Sequence, residues 1–243
     1  MTKANRRRRR WPRRLITILL LAAGAAAFLW WSNHSLQIQR FTYTSPRLPG
    51  GFDGCVIVQL TDLHGAVFRE DNQELIDAVR KESPDYIVLT GDLLDRFRET
   101  PHSYAADLCG ALAAIAPTYF VTGNHEWALP DVRGLKDRLT QAGAVVLTNQ
   151  FVTLERGGDQ ILLAGIDDPN GYAGQKSPEE VAGEVKEAAG DGFWLLMAHR
   201  NNLFDGEYCR LGADLVLSGH GHGGIWRLPF TDGLLGAGGQ LLP

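Results

Sequence analysis

Five short apolar runs in this 243-residue chain each end on residues with lone pairs to offer. CVIVQLT leads into Asp62-Leu63-His64, and YIVLT into Gly91-Asp92 with Asp95-Arg96 shortly after. TYFVT leads into Gly123-Asn124-His125-Glu126, FWLLMA into His199, and LVLS into Gly219-His220-Gly221-His222. Between the runs lie helical patterns: NQELIDAVRKES, SYAADLCGALAAIA, VRGLKDRLTQAG and SPEEVAGEVKEAAG, the last with Ser177 as a cap and Pro178 at the first helical position. AVVLTN reads as a further strand, and FVTLERGGDQILLAGI as a hairpin turning at Gly157-Gly158. Strands alternating with helices predict an α/β domain whose helices pack on the sheet.

In such a domain the carboxyl ends of the strands line one edge, where ligands bind. That edge would gather two aspartates, an asparagine and five histidines. One histidine after a strand is ordinarily a hydrogen-bonded loop residue, and one aspartate a turn or cap former. Five such sites in succession, holding five of the seven histidines, are not accounted for in that way. Imidazole and carboxylate together suit divalent transition metals, and there are too many donors for one ion. Two ions sharing one carboxylate would use them all. The glycines around His220 and His222 let the chain turn beneath a crowded site, and an extended i, i+2 pair would point both rings to one side.

The remaining histidines, His34 and His102, read as structural; Asp167-Asp168 after the hairpin reads as a turn, with a place near the site as the alternative. Cys55, Cys109 and Cys209 form no CxxC pair, and read as small buried residues.

The series DLH, GDLLDR, GNHE, a lone His and GHGH resembles the calcineurin-like metallophosphoesterase superfamily, from Cys55 to about Pro229. The basic head, the apolar segment and the GHGHGGIWRLP ending resemble its membrane-anchored bacterial branch of phosphodiesterases. The resemblance implies a β-sandwich flanked by helices, with the active site at the strand carboxyl ends. It implies that Asp62, His64 and His222 hold one divalent ion, that Asn124, His199 and His220 hold a second, and that Asp92 bridges. Mn, Fe and Zn all fit such donors. His125 would be the unligated acid near the leaving group, Asp95 would orient it, and Arg96 would touch phosphate. Gly221 stands where the family usually has Thr, a change expected to alter only loop stiffness. The sequence ends twenty-one residues after His222, in GLLGAGGQLLP, where relatives continue with further strands. The C-terminal strands are therefore expected to be abbreviated or missing.

The implied function is two-metal hydrolysis of a phosphodiester or pyrophosphate bond, on a lipid-linked or cell-envelope substrate. The intervals between motifs leave no room for a large cap domain. A phosphomonoesterase, including a protein phosphatase, is the enzymatic alternative, and a non-catalytic metal-dependent binding module the non-enzymatic one. The second would be marked by a lost bridging Asp or acid His, and Asp92 and His125 are both present. A metallo-β-lactamase-type site is disfavoured by the lack of an HxHxDH run.

Charge is divided along the chain. The first fourteen residues carry eight basic side chains and no acid, leaving 16 basic against 28 acidic residues in the rest, a net of −12. A domain that acidic is poorly suited to nucleic acid. The basic head instead precedes LITILLLAAGAAAFLWW, residues 15–31, long enough at the lower limit to span a bilayer and closed by two tryptophans. The segments read as a basic cytoplasmic head (1–14), a single-pass signal-anchor (15–31), a linker (32–54) and a catalytic domain (55–243) outside the cytoplasmic membrane. A signal peptide cut near Ala25-Ala26-Ala27 is the rival. Protease added to intact spheroplasts should digest the domain; a domain protected until lysis would overturn this orientation.

Overall fold

The computed structural model describes residues 3–98, 100–222, 226–227 and 233–235. It divides into two units, Met1–Thr42 and Tyr43–Pro243. In the first, α1 (Lys3–His34) contains Arg13–Ser32, a helix long and apolar enough to cross a membrane by length and composition.

The second unit is built around two four-stranded sheets. The first runs β1 (Ile57–Leu60), β2 (Tyr86–Leu89), β3 (Thr118–Phe120), β4 (Val145–Val146), all parallel. Between these strands lie α2 (Gln73–Lys81), α3 (His102–Ala113), the single turn α4 (Asn124–Trp127) and α5 (Val132–Gln141). The second runs β5 (Gln150–Arg156), β6 (Asp159–Ile166), β7 (Trp194–Arg200), β8 (Leu215–Gly219), with the β5–β6 hairpin antiparallel and the rest parallel. Helix α6 (Pro178–Ala189) makes the crossover from β6 to β7.

Alternation along the strands sorts the core into layers. Tyr86, Val88, Tyr119 and Val121 of the first sheet's chain meet Leu154, Ile161, Leu163, Leu195 and Met197 of the second in one buried cluster. The intervening residues Leu162, Ala164, Leu196 and Ala198 face outward onto Val181, Ala182 and Val185 of α6. Strand β2 is buried at every position, as a central parallel strand covered on both faces should be. On α2, Leu75, Ile76 and Val79 form the buried stripe while the charged residues stay outside. Helix α6 begins as its sequence dictates: Ser177 Oγ accepts the Glu180 N–H at 3.2 Å, Glu180 accepts the Ser177 N–H at 2.6 Å, and Pro178 follows the cap.

The expected linker 32–54 ends earlier than its composition suggests. Residues 43–54 are docked on the domain, at the edge where β2, β6, β7 and β8 begin. Tyr43 Oη donates to the Asp214 carbonyl at 2.8 Å. Arg47 donates to Asp214 Oδ1 at 2.7 Å and to the carbonyls of Asp191 and Gly192. Arg156, paired with Asp85 at 2.9 Å, donates to the carbonyls of Gly51 and Asp53. Phe52 is 2 % exposed and stacks on Tyr86 at 6.5 Å within the inter-sheet core. Pro and Gly here shape a strap and not a free tether. Strands β9 (Trp226–Arg227) and β10 (Gly233–Leu235) form a separate antiparallel pair; the rest of the sequence from Gly223 onward, including most of the stretch expected to be abbreviated, lies outside the described residues.

Phe52→Ala should lower the unfolding free energy of the second unit by about 3–5 kcal/mol, the usual cost of emptying a buried aromatic site. Gln39→Ala, in the exposed residues just before the strap, should stay within about 0.5 kcal/mol. Denaturant titration of the full chain in detergent distinguishes the two; equal, small effects would mean that the strap is not part of the fold.

Candidate metal centre

Each expected site residue sits where a strand runs out at the carboxyl edge. Asp62 and His64 follow β1, Asp92 and Asp95 follow β2, Asn124 and His125 open α4 after β3, His199 is the penultimate residue of β7, and His220 and His222 follow β8. Five of them, Asp62, His64, Asp92, His220 and His222, have left-handed backbone, with φ between 48° and 67°. Such conformations cost free energy in non-glycine residues and persist only where surroundings impose them. Here the imposed turns are hydrogen-bonded across strands: Asp62 N–H to the Gly91 carbonyl, and His64 N–H to the Asp92 carbonyl.

Among the described residues the candidate donors form three groups: Asp62–His64–His222, Asp92–His199–His220, and His64–Asp95–His125, which shares His64 with the first. In the first, His64 Nε2 and His222 Nε2 are 3.2 Å apart, and His222 Nε2 is 3.6 Å from Asp62 Oδ1. In the second, His199 Nε2 is 3.2 Å from each of Asp92 Oδ2, Asn124 Oδ1 and His220 Nδ1. Asp92 Oδ2 also lies 3.8 Å from His64 Nε2, so one carboxylate oxygen stands between the groups. The other, Oδ1, accepts the His125 N–H at 2.8 Å. The expectation that His220 and His222 are extended and share one side fails. Both are left-handed, and the turn between them sends one ring to each of the first two groups.

These contacts test whether a cation belongs here. His199 Nδ1 is 2.8 Å from the Thr90 carbonyl, which accepts only and so fixes the ring proton on Nδ1. Nε2, a bare lone pair in the neutral ring and an N–H donor in the imidazolium, faces a carboxylate oxygen, an amide carbonyl oxygen and a second imidazole nitrogen. Acceptors repel at this spacing unless a positive charge lies among them. Two ligands bound to one ion at about 2.0–2.1 Å stand roughly 3.0–3.4 Å apart, which matches the 3.2 Å separations. The donor set fits divalent metal.

Protonation equilibria register the same demand. Burial opposes charging His199, but contact with Asp92 outweighs it and pushes the imidazole up to about 9. Burial likewise opposes ionising Asp92, yet His199 and the His125 N–H hold the carboxyl below its ordinary value. His64 is depressed by burial and by the neighbouring imidazoles, and His220 by burial, His199 and Arg200. Neutral rings at His64 and His220 are the form that coordinates metal.

His125 stands beside the first two groups, with its ring 4.4 Å from that of His64. Its Nδ1 is 3.2 Å from Asp95 Oδ1 and also 3.2 Å from the Arg96 backbone nitrogen. Bare, that nitrogen accepts the Arg96 N–H; protonated, it pairs with Asp95. The exposed Arg96 guanidinium lies 4.4 Å over the Phe97 ring.

Several residues around the centre were given no part in it by the sequence reading. Glu126 is fully buried and accepts N–H groups from Asp92 at 2.8 Å, Leu94 at 3.1 Å and Gly123 at 2.8 Å, clamping two of the ligand-bearing turns together. Burial and the charge of Asp92 push its carboxyl up to about 7 against those three donors. Its signal was a carboxylate directly after Asn124-His125. Gly91 (φ +91°) and Gly123 are required by closeness: a Cβ at Gly91 would stand 2.5 Å from Gly123 N, and one at Gly123 would strike Asp92 Oδ1. Asp167 and Asp168 do more than form a turn. Both are buried, Asp167 taking Lys136 Nζ at 2.6 Å and Asp168 gripping Arg200 at 2.7 and 3.1 Å. A Cβ at Gly221 would lie 2.5 Å from Nδ2 at the end of the exposed Asn201 side chain, which can swing aside.

A family model described as calcineurin-like phosphoesterase matches residues 55–224. The chain is 32% identical over 185 residues to the uncharacterized metallophosphoesterase YkoQ of Bacillus subtilis, covering 72% of this chain and 64% of that protein. It is 33% identical over 188 residues to a zebrafish (Danio rerio) transmembrane protein with metallophosphoesterase domain, covering 73% and 42%. An uncharacterized metallophosphoesterase of Aquifex aeolicus is 31% identical over 193 residues, covering 78% and 71%. The match thus takes in less than two thirds of the length of the first two relatives. Matched along most of its length, with the mixed α/β sheets and the clustered donors in place, the chain belongs to the calcineurin-like phosphoesterase family, whose members hydrolyse phosphoesters with divalent metals.

Proposed function

We propose that this chain is a two-metal hydrolase of phosphodiester or pyrophosphate bonds, anchored in the cytoplasmic membrane by its N-terminal helix with the catalytic domain outside. The observation that carries the reading is Asp92 Oδ2, set between His199 Nε2 at 3.2 Å and His64 Nε2 at 3.8 Å. One anionic oxygen shared by two nitrogen-rich groups is what a bridged pair of divalent ions requires. Asp62, His64 and His222 would hold one ion, Asn124, His199 and His220 the other. Bound there, such ions supply Lewis acidity, lowering the pKa of water and offsetting charge on the phosphoryl oxygens.

The protein groups have separate tasks. The Thr90 carbonyl keeps the His199 lone pair aimed inward. Glu126 fixes the backbone of Asp92 and Gly123, so the two turns cannot drift apart. His125, with Nδ1 turned to Asp95, presents Nε2 to the substrate as the acid for a departing alkoxide, and Asp95 offsets the imidazolium charge. The span Arg13–Ser32 and the zebrafish relative's description as a transmembrane protein support the anchoring. An open centre on a tethered domain suits a cell-envelope substrate, lipid-linked or otherwise.

Asp92→Ala removes the one side chain both groups share, so elemental analysis should find both ions lost or substoichiometric; two tightly bound ions in the pure variant would sink the bridging role. His125→Ala should keep its metal and lose turnover by roughly 10²–10⁴-fold on an ester that releases an alkoxide, the usual size of a general-acid contribution. A nitrophenyl ester, whose leaving group departs unprotonated, should be hurt far less, whereas His220→Ala or His222→Ala should lose metal and fail on both. Equal damage to the two esters in His125→Ala would remove His125 from the acid role.

A further inference from the structure

At the carboxyl edge of the second sheet, Ile166 pairs with Ala198 and Arg200 with Gly219. The register carries Asp168 next to Arg200, one residue beyond the candidate ligand His199, and there a cavity of about 460 Å³ opens. Arg200 lines it, while the next residue, Asn201, lines a second concavity of about 400 Å³ beside Asp62 and His222. Consecutive residues therefore divide the metal centre from a neighbouring chamber of a size that holds a small organic group.

The walls decide what that group is. Both cations of the lining already have a carboxylate, Arg200 with Asp168 and Lys176 with Glu184, each at 2.7 Å, and the lining residue Asp167 is itself paired with Lys136 from outside it. Glu207 adds a further carboxylate. A second phosphate would find no surplus positive charge and several anions. An alkyl chain would meet apolar surface over much of the lining, but it would strip water from the paired ions and from the exposed Asn170 amide without replacing those bonds. Hydroxyl groups both donate and accept, and can satisfy such walls without adding charge. Ile166, Leu203 and Tyr208 supply apolar surface for the faces of a ring.

We propose that this chamber is a subsite for the organic group esterified to the phosphorus, and that it takes a neutral, hydroxylated, sugar-sized moiety. The proposal rests on the phosphodiesterase reading and narrows it.

The test uses the full chain in detergent and three diesters that release the same p-nitrophenolate: methyl, dodecyl and thymidine-5′ p-nitrophenyl phosphate. Hydrolysis of the methyl ester establishes the phosphodiesterase reading; failure on all three, with any of Mn, Fe or Zn, sinks that reading and the subsite with it. The thymidine ester should have a KM about tenfold below the methyl ester, a modest gain for filling a partly polar site. Asn170, exposed at the chamber's mouth, allows Asn170→Trp to fill it, and Lys176→Trp does so from another wall. Either variant should abolish the KM advantage while leaving the methyl ester unchanged. Thymidine alone, measured by calorimetry, should bind the wild type and bind Asn170→Trp at least about fivefold more weakly, a readout independent of turnover. A hydrolysed methyl ester with no thymidine preference, a dodecyl preference, or a preference surviving in both variants with unchanged melting temperature would overturn the subsite alone.

Discussion

Lone pairs crowded against lone pairs set the terms for everything at the carboxyl edge of this fold. Nitrogen and oxygen acceptors of Asp92, Asn124, His199 and His220 converge at 3.2 Å, and the arrangement is tolerable only with positive charge among them. Holding them there requires backbone that an unconstrained chain would not choose. Five of the candidate ligands are left-handed, two glycines allow strand ends to touch, and a buried glutamate ties three N–H groups together. The strain sits at the ligand turns and is offset by two sheets whose shared core runs from Phe52 to Met197.

Much of this was legible in the sequence because the signals are local and periodic. Apolar runs of four to eight residues named the strands, Ser177-Pro178 named the start of α6, and Gly157-Gly158 the hairpin turn. The order of Asp, His and Asn at strand ends was enough to nominate every donor that the fold brings together. What stayed hidden depends on dihedral angles or on distant partners. His220-Gly221-His222 reads as an extended pair with both rings on one side, and only the folded backbone shows the left-handed residues that send one ring to each group. Asp168 looks like a turn former until Arg200, thirty-two positions away, is found on it. Glu126 was visible as a residue but not as a brace, because its partners are backbone N–H groups on another strand's loop.

The strap shows the same limit at the scale of domains. Composition reads residues 32–54 as a linker, yet Phe52 enters the core and Arg47 and Arg156 bind the backbone and carboxylates around it. A single aromatic and two arginines outweigh the glycines, since hydrogen bonds to carbonyls do not depend on what side chain the acceptor residue carries.

The docked strap also fixes where mechanical force enters the domain. Tension on the residues before Tyr43 would be taken up at the amino-terminal edge of the sheets, by Tyr43 and Arg47 on Asp214 and then by Phe52. The turns bearing Asp62, Asp92, His199 and His220 lie at the far ends of the same strands. The strap and the candidate ligands thus occupy opposite ends of the sheets, with the length of the strands between them.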